Sequence, residues 1–234
     1  LHERIARHLV ARDAPSAAVA PHWAGAARWR EAGEAYAAAA RQAQSASQRA
    51  HEIHCLERAD EAFERAGDRE SAFRARCDSV QALIVVRGVA PARALAEQLI
   101  AAALTDAERA TALIALAMAA LMAADHASGI AAAEQAGQLA LSLKAPALAL
   151  EAACLHAVGL SQAGRPAEGL AIIEPWRAMV EREGTPQQRG RFWADYAYAL
   201  NAVRRLRDTA HALPQAIANA TALGALAELA TLTS

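Results

Sequence analysis

The sequence predicts an all-α fold, a solenoid of antiparallel helix pairs. Hydrophobic residues make up 55% of its 234 residues but aromatics only 4%. Alanine fills the difference; it is the best helix former and small enough for close helix approach. Glycine and proline are sparse and fall between runs of helical periodicity. Short turns recur at Ala66-Gly67-Asp68-Arg69, Ala124-Asp125-His126-Ala127 and Ala163-Gly164-Arg165-Pro166, each closing one amphipathic run inside a pair and opening the next. Ala145-Pro146 and Thr185-Pro186 follow the second run of a pair. A period of roughly 20–50 residues marks units that cannot bury their apolar faces alone.

Taken in order, the periodicity and its breakers give about thirteen helices. Their spans are 1–12, 15–26, 29–44, 47–66, 69–87, 90–104, 107–123, 126–143, 147–163, 165–182, 186–204, 207–222, and a start at 225. Asp13, Ser47, Asp68, Thr105 or Asp106, Asp125, Thr185 and Asp208 stand where a side-chain oxygen would cap a helix N-terminus. Pro166 and Pro186 suit a first helical turn, where the missing N–H has no partner to lose. Pro21, Pro175 and Pro214 fall inside spans, and each should kink its helix or shift a boundary. The last span carries Leu226, Leu229 and Leu232 on one face. The chain opens on Leu1 and stops within a helical pattern, as expected of an array truncated at both ends, whose terminal helices could self-associate.

The turn markers Gly88, Ala124, Gly164 and Arg205 recur at about 36 to 41 residues, with Gly67 ambiguous in phase. Five residues after a marker comes a position that wants a small side chain against the preceding helix. It is Gly129, Gly169 and Ala210 in three cases, and Arg93 breaks the pattern. A mid-helix glycine costs about 1 kcal/mol against alanine, so close helix approach is the reason to keep one.

This spacing, with its Gly, Ala and terminal Pro punctuation, resembles the tetratricopeptide repeat. The signature Trp, Leu-Gly and Tyr of its first helix are mostly replaced, with Ala157 and Leu160 where Gly and Tyr are expected. Repeats of about 40 residues are similar to the arrays of large bacterial signalling ATPases and LuxR-type transcriptional regulators. The opening segment strengthens this, through Leu1-His2-Glu3-Arg4-Ile5-Ala6-Arg7-His8-Leu9, then Val19-Ala20-Pro21-His22-Trp23 and Ala35-Tyr36-Ala37-Ala38-Ala39-Ala40-Arg41-Gln42-Ala43. It resembles the stretch where such regulators pass from an ATPase module into their repeats. The resemblance implies a right-handed superhelix, with residues 1–45 as that junction and 46–234 as repeats.

Composition and missing motifs narrow the function. Net charge is −1, from 24 basic and 25 acidic residues, so the basic footprint of a nucleic-acid binder is missing. Arg204, Arg205 and Arg207 cluster at a helix end, where they complement the helix dipole. Lys144 is the only lysine; the arginine skew suggests a GC-rich bacterial genome. Cys55, Cys77 and Cys154 are isolated, as buried thiols in a reducing cytoplasm would be. The longest apolar run, Thr111 to Ala124, is shorter than the roughly 20 residues of a membrane span, and no signal peptide is visible. His51, His54 and Cys55 share one helix face, but structural zinc needs four ligands and no second cluster completes them. No phosphate-binding loop surrounds Lys144, and no nucleophile–base pair can be nominated, so no cofactor and no enzymatic activity are expected.

The groove is the better candidate. The resemblance implies that the first helix of each pair lines a concave face. Contact positions then map to Asp78, Ala82, Val85 and Val86; to Ile114, Met118, Leu121 and Met122; to Glu151, Cys154, Val158, Ser161 and Gln162; and to Phe192, Asp195, Ala199 and Val203. Methionine adapts its shape at promiscuous binding surfaces. The groove positions carry no Lys, Arg or Asn, which weighs against a carboxylate clamp. The expected role is a non-catalytic scaffold within a larger bacterial regulator, binding a protein, a peptide or another domain of its own chain. The alternative is a small-molecule inducer sensor. A sensor should hold a deep pocket with convergent polar groups; a scaffold should present an open groove with exposed apolar residues.

Overall fold

The protein's structure, a computed structural model, describes residues 1–223. These form thirteen α-helices and no strand. They are α1 (His2–Val10), α2 (Ser16–Gly25), α3 (Trp29–Ser45), α4 (Arg49–Ala66), α5 (Arg69–Arg87), α6 (Val89–Ala102), α7 (Asp106–Met122), α8 (His126–Ser142), α9 (Pro146–Gln162), α10 (Pro166–Ile173), α11 (Arg177–Glu183), α12 (Pro186–Ala202) and α13 (Leu206–Leu223). A 3₁₀ turn, Glu174–Trp176, joins α10 to α11. Pro175 breaks the expected 165–182 helix there, because its ring clashes with the preceding turn and it has no N–H to donate. Pro21 and Pro214 stay inside unbroken α2 and α13. The helix expected from 225 lies outside the described residues.

The helices form two compact units, Leu1–Leu95 and a second beginning at Ala96. In each, one kind of turn recurs between successive helices. A residue in left-handed conformation ends the helix, and the N–H after it reaches back five residues. Examples are Arg28 N to Trp23 O (3.0 Å), Gln48 N to Ala43 O (2.8 Å), Asp68 N to Phe63 O (2.9 Å) and Asp125 N to Ala120 O (2.9 Å). This satisfies a carbonyl that the helix end would leave without a partner. In the first unit the left-handed residues include Ala27, Ser47 and Gly67; in the second they are Ala124, Lys144, Gly164 and Arg204. Seventeen helical residues and three linker residues thus make a beat of 20 between Ala27 and Ser47 and again between Ala124 and Lys144. The first-to-first spacing of pairs is 40 in the second unit, from Ala124 to Gly164 to Arg204.

That beat corrects several sequence-based expectations. The last marker is Arg204, one residue before Arg205. Asp13 and Ser47 are the left-handed turn residues and not N-caps. Asp208 sits within the first turn of α13 and accepts from Arg205 Nε at 2.6 Å. The remaining caps form as expected. Asp68 accepts from Ser71 N (3.1 Å), Thr105 from Glu108 N (3.1 Å) and Asp125 from Ser128 N (3.2 Å). Thr185 and Gln188 make a reciprocal capping box.

Packing explains the helical glycines. A Cβ on Gly169 would sit 2.6 Å from the carbonyl oxygen of Ala157, so α10 rests on the backbone of α9. A Cβ on Gly129 would sit 2.6 Å from Leu121 Cδ2, and one on Gly33 2.6 Å from the Phe63 ring. Ala210 is exposed, because its marker was placed one residue late. In the first unit the core runs through Tyr36, Leu56 and Phe63 among alanines. In the second, α9, α10 and α12 close over Phe192, Trp193 and Tyr196, whose ring centroids are 5.4–5.9 Å apart. Among the described residues no helix is long and apolar enough to cross a membrane.

Candidate functional site

The second unit contains three helix pairs: α7 with α8, α9 with α10 and α11, and α12 with α13. Each first helix repeats one burial pattern at 40-residue spacing, from 111–122 to 151–162 and, with small changes, to 191–202. Helix α9 packs along both α7 and α12, while no comparable approach joins α8 to α10 or α11 to α13 among the described residues. The first helices therefore draw together on one side. Residues of this strip that keep solvent access can meet a partner running across the helices.

The predicted positions divide by burial. Ile114 (4% exposed), Leu121 (8%) and Cys154 (1%) face the core and cannot present a surface. Ala82, Phe192 and Ala199 are likewise buried. Met118 and Val158 are half-buried, Gln162 is exposed, and Met122 is 63% exposed. In the first unit, Val85 and Val86 of α5 are exposed, and exposed Asp78 accepts from Arg74 Nε at 3.0 Å. Forty residues after Val158 stands Tyr198, 44% exposed, which the sequence reading missed. Met118, Val158 and Tyr198 thus form one rung per first helix. Met122, Gln162 and Ala202 form a second rung set one turn further on.

A polar seam flanks this apolar rail where α9 meets α12. Arg191 Nε donates to Asp195 Oδ2 at 2.6 Å, and Cys154 lies against this pair with Glu151 nearby. Burial, and then the charge of Asp195, pushes the Cys154 thiol well above its ordinary range. It is a packed thiol, not a nucleophile, since the thiolate is the reactive form. The Asp195 carboxylate in turn holds Arg191 firmly protonated. Arg191 places an arginine beside the strip that the mapped groove positions omit.

A cleft of about 740 Å³ opens on the opposite side of α12. Trp193 and Tyr196 contribute its floor, with Glu174, Arg177 and Glu181 on one wall and Asp208 and His211 on the other. Its charges are largely paired with each other. Arg205 Nη1 and Tyr196 Oη both donate to Glu174 Oε1 at 3.0 Å, and Arg177 Nε donates to Glu181 at 2.9 Å while its guanidinium lies 5.6 Å from the centre of the Trp193 ring. Burial, then the hydrogen bond to Glu174, raises the Tyr196 phenol. Arg205 thus bridges Glu174 and Asp208.

Elsewhere, His51 Nε2 lies 3.6 Å from Cys55 Sγ while His54 is exposed, and burial raises the Cys55 thiol. No group of three candidate metal ligands exists among the described residues.

No protein-family model matches the chain, and no curated protein matches it in sequence. Among solved structures it is similar to the "putative kinesin light chain nearly identical TPR-like repeats" of Podosopora anserina. The alignment covers 82% of this chain and 95% of that one, at 19% identity and a TM-score of 0.52. A point-substituted form of the same repeats aligns over 82% and 94%, at 19% identity and a TM-score of 0.53. The protein folds as an all-α array of TPR-like helix pairs.

Proposed function

We propose that this chain is a non-catalytic scaffold that captures a protein segment along the strip of first helices in its second unit. One observation carries the reading: a repeated burial pattern leaves Met118, Val158 and Tyr198 solvent-accessible at equivalent positions on three helices that pack in succession. Met122 and Gln162 extend the surface. Contiguous exposed apolar residues flanked by polar groups are what a binding groove offers. Asp78, Val85 and Val86 would supply a separate patch on the first unit. The repeats would serve a larger cytoplasmic bacterial regulator, with residues 1–45 as the junction to a nucleotide-driven module, and the captured segment would belong to another protein or another domain of the same chain.

The second reading, an inducer sensor, has one observation in its favour, the cleft over Trp193 and Tyr196, whose volume falls within the usual range for ligand sites. Its carboxylates and guanidiniums already neutralise each other, so a ligand would have to displace existing ion pairs. The scaffold reading is preferred for that reason. Selection from a displayed random-peptide library tests it. Selected peptides should lose binding to Met118→Asp and Tyr198→Asp variants that retain wild-type helicity. Peptides indifferent to both substitutions, or weakened only by changes at Trp193 and Tyr196, would refute the groove.

A further inference from the structure

We propose that His2 and His22 form a two-imidazole site for a divalent transition metal ion of the zinc and copper class, bridging α1 to α2. The two Nδ1 atoms lie 3.1 Å apart, and the ring centroids are 5.3 Å apart with planes inclined by 37°. That distance lets an Nδ1–H of one ring donate to the Nδ1 lone pair of the other, the tautomers setting which ring donates. The same separation suits two ligands on one metal. With Zn–N bonds of about 2.05 Å, nitrogens 3.1 Å apart subtend about 98° at the metal, between the square-planar and tetrahedral values. Reaching that arrangement requires each ring to tilt modestly, along a torsion that is broad for histidine. Exposed His2 has the room.

The surroundings hold the pair without competing for it. Gly25 stands one turn beyond His22 on the same helix, and a Cβ there would lie 2.9 Å from Cγ and Nδ1 of His2. The glycine therefore makes the niche in which the imidazole sits against α2. The nearby charges satisfy one another: Glu3 accepts from Arg7 Nη2 at 2.6 Å and from Arg28 Nη1 at 3.0 Å. Binding through both Nδ1 atoms leaves each ring neutral with its proton on Nε2, the donor ring's proton moving there by exchange with solvent, and water fills the remaining coordination positions. The imidazole donors select zinc, copper or nickel over magnesium or calcium. An occupied site would fasten α1, whose main packing partner is α2.

Calorimetric titration with zinc chloride tests this, using the whole chain and two buffers of different ionisation enthalpy to count released protons. One zinc should bind per chain, with no net proton released at about pH 8, above the ordinary histidine range. His22→Ala and His2→Ala should each weaken it by about tenfold or more, the scale on which even outer-shell partners act. His8→Ala, on the same helix outside the pair, should bind as wild type. Gly25→Ala, which changes no ligand, should also weaken binding by displacing the His2 ring. Wild-type affinity in His22→Ala, or the same zinc isotherm in wild type and the double alanine variant, would overturn the proposal. His22→Gln, checked for native helicity, guards against loss through misfolding.

Discussion

Gly169→Ala sets helix propensity against packing, and the structure says which wins. Alanine gains about 1 kcal/mol over glycine within a helix. Opposing that, its Cβ would lie 2.6 Å from the carbonyl oxygen of Ala157 and 3.0 Å from Ser161 Oγ. The carbonyl belongs to α9 and cannot swing away, and Ser161 Oγ donates to that same oxygen at 2.8 Å. Relief means moving α10 off α9, which would loosen Leu170 and Ile173 from the core. Overpacking of this kind costs about 1–3 kcal/mol in ordinary cores, and more where backbone blocks the way. The net should be a loss of about 1–2 kcal/mol, or a fall in melting temperature of about 2–8 °C for a chain of this size. Gly137→Ala is the matched control. Its Cβ would meet only Ala152 Cβ, at 3.8 Å, an ordinary contact. It should therefore raise stability by up to about 1 kcal/mol. Thermal and urea unfolding followed by circular dichroism measure both. If Gly169→Ala is as stable as wild type, α10 does not rest on α9 as described.

Neighbouring residues on α7 should respond oppositely to the same charge. Met122→Asp, at a 63% exposed position, should stay within about 0.5 kcal/mol of wild type. Leu121→Asp should cost several kcal/mol, since it buries an unpaired carboxylate; equal melting temperatures would contradict the assigned register. Ala124→Gly should stabilise by up to about 1 kcal/mol, because Ala124 holds φ at 58° and only glycine is free of strain there; urea midpoints decide it. Burial holds the His156 imidazole below its ordinary value, so the unfolded chain binds that proton more readily. This contribution to stability is complete above the ordinary histidine range and is lost as pH falls through it. His156→Gln should flatten the pH dependence of unfolding between about pH 7 and pH 5; an unchanged slope would exclude His156 as its source.

The helix and turn plan was legible because stop and start signals are local. Asp68, Asp125 and Thr185 cap where a short side-chain oxygen can reach the N–H three residues on, and Gly164 takes the left-handed position that suits it. The phase of the last pair was not legible. Its left-handed residue is Arg204, which no composition rule distinguishes from Arg205. One residue is about 100° around a helix, so that slip moved the expected groove position from exposed Tyr198 to buried Ala199. Ile114 and Cys154 fall inside for a different reason. Apolar residues on a first helix serve both the strip and the neighbouring first helix, and only packing distance decides which. The Arg191–Asp195 pair faces Cys154 from 37 residues away, and helical periodicity carries no trace of that. The His2–His22 pair likewise depends on how two helices meet across a turn.

The turn residues bear on how such a chain can change in length. Ala27, Ser47, Ala124, Lys144 and Arg204 occupy one backbone state with four different side chains. The turn is set by where the helix runs out, not by which residue stands there. A single inserted residue within a helix would rotate everything beyond it by about 100° and turn core positions outward. Duplicating a full 40-residue stretch of the second unit would restore every facing relation, whichever residue it started from. Gene segments encoding this protein could therefore lengthen or shorten it only in whole pairs, with break points free to fall anywhere.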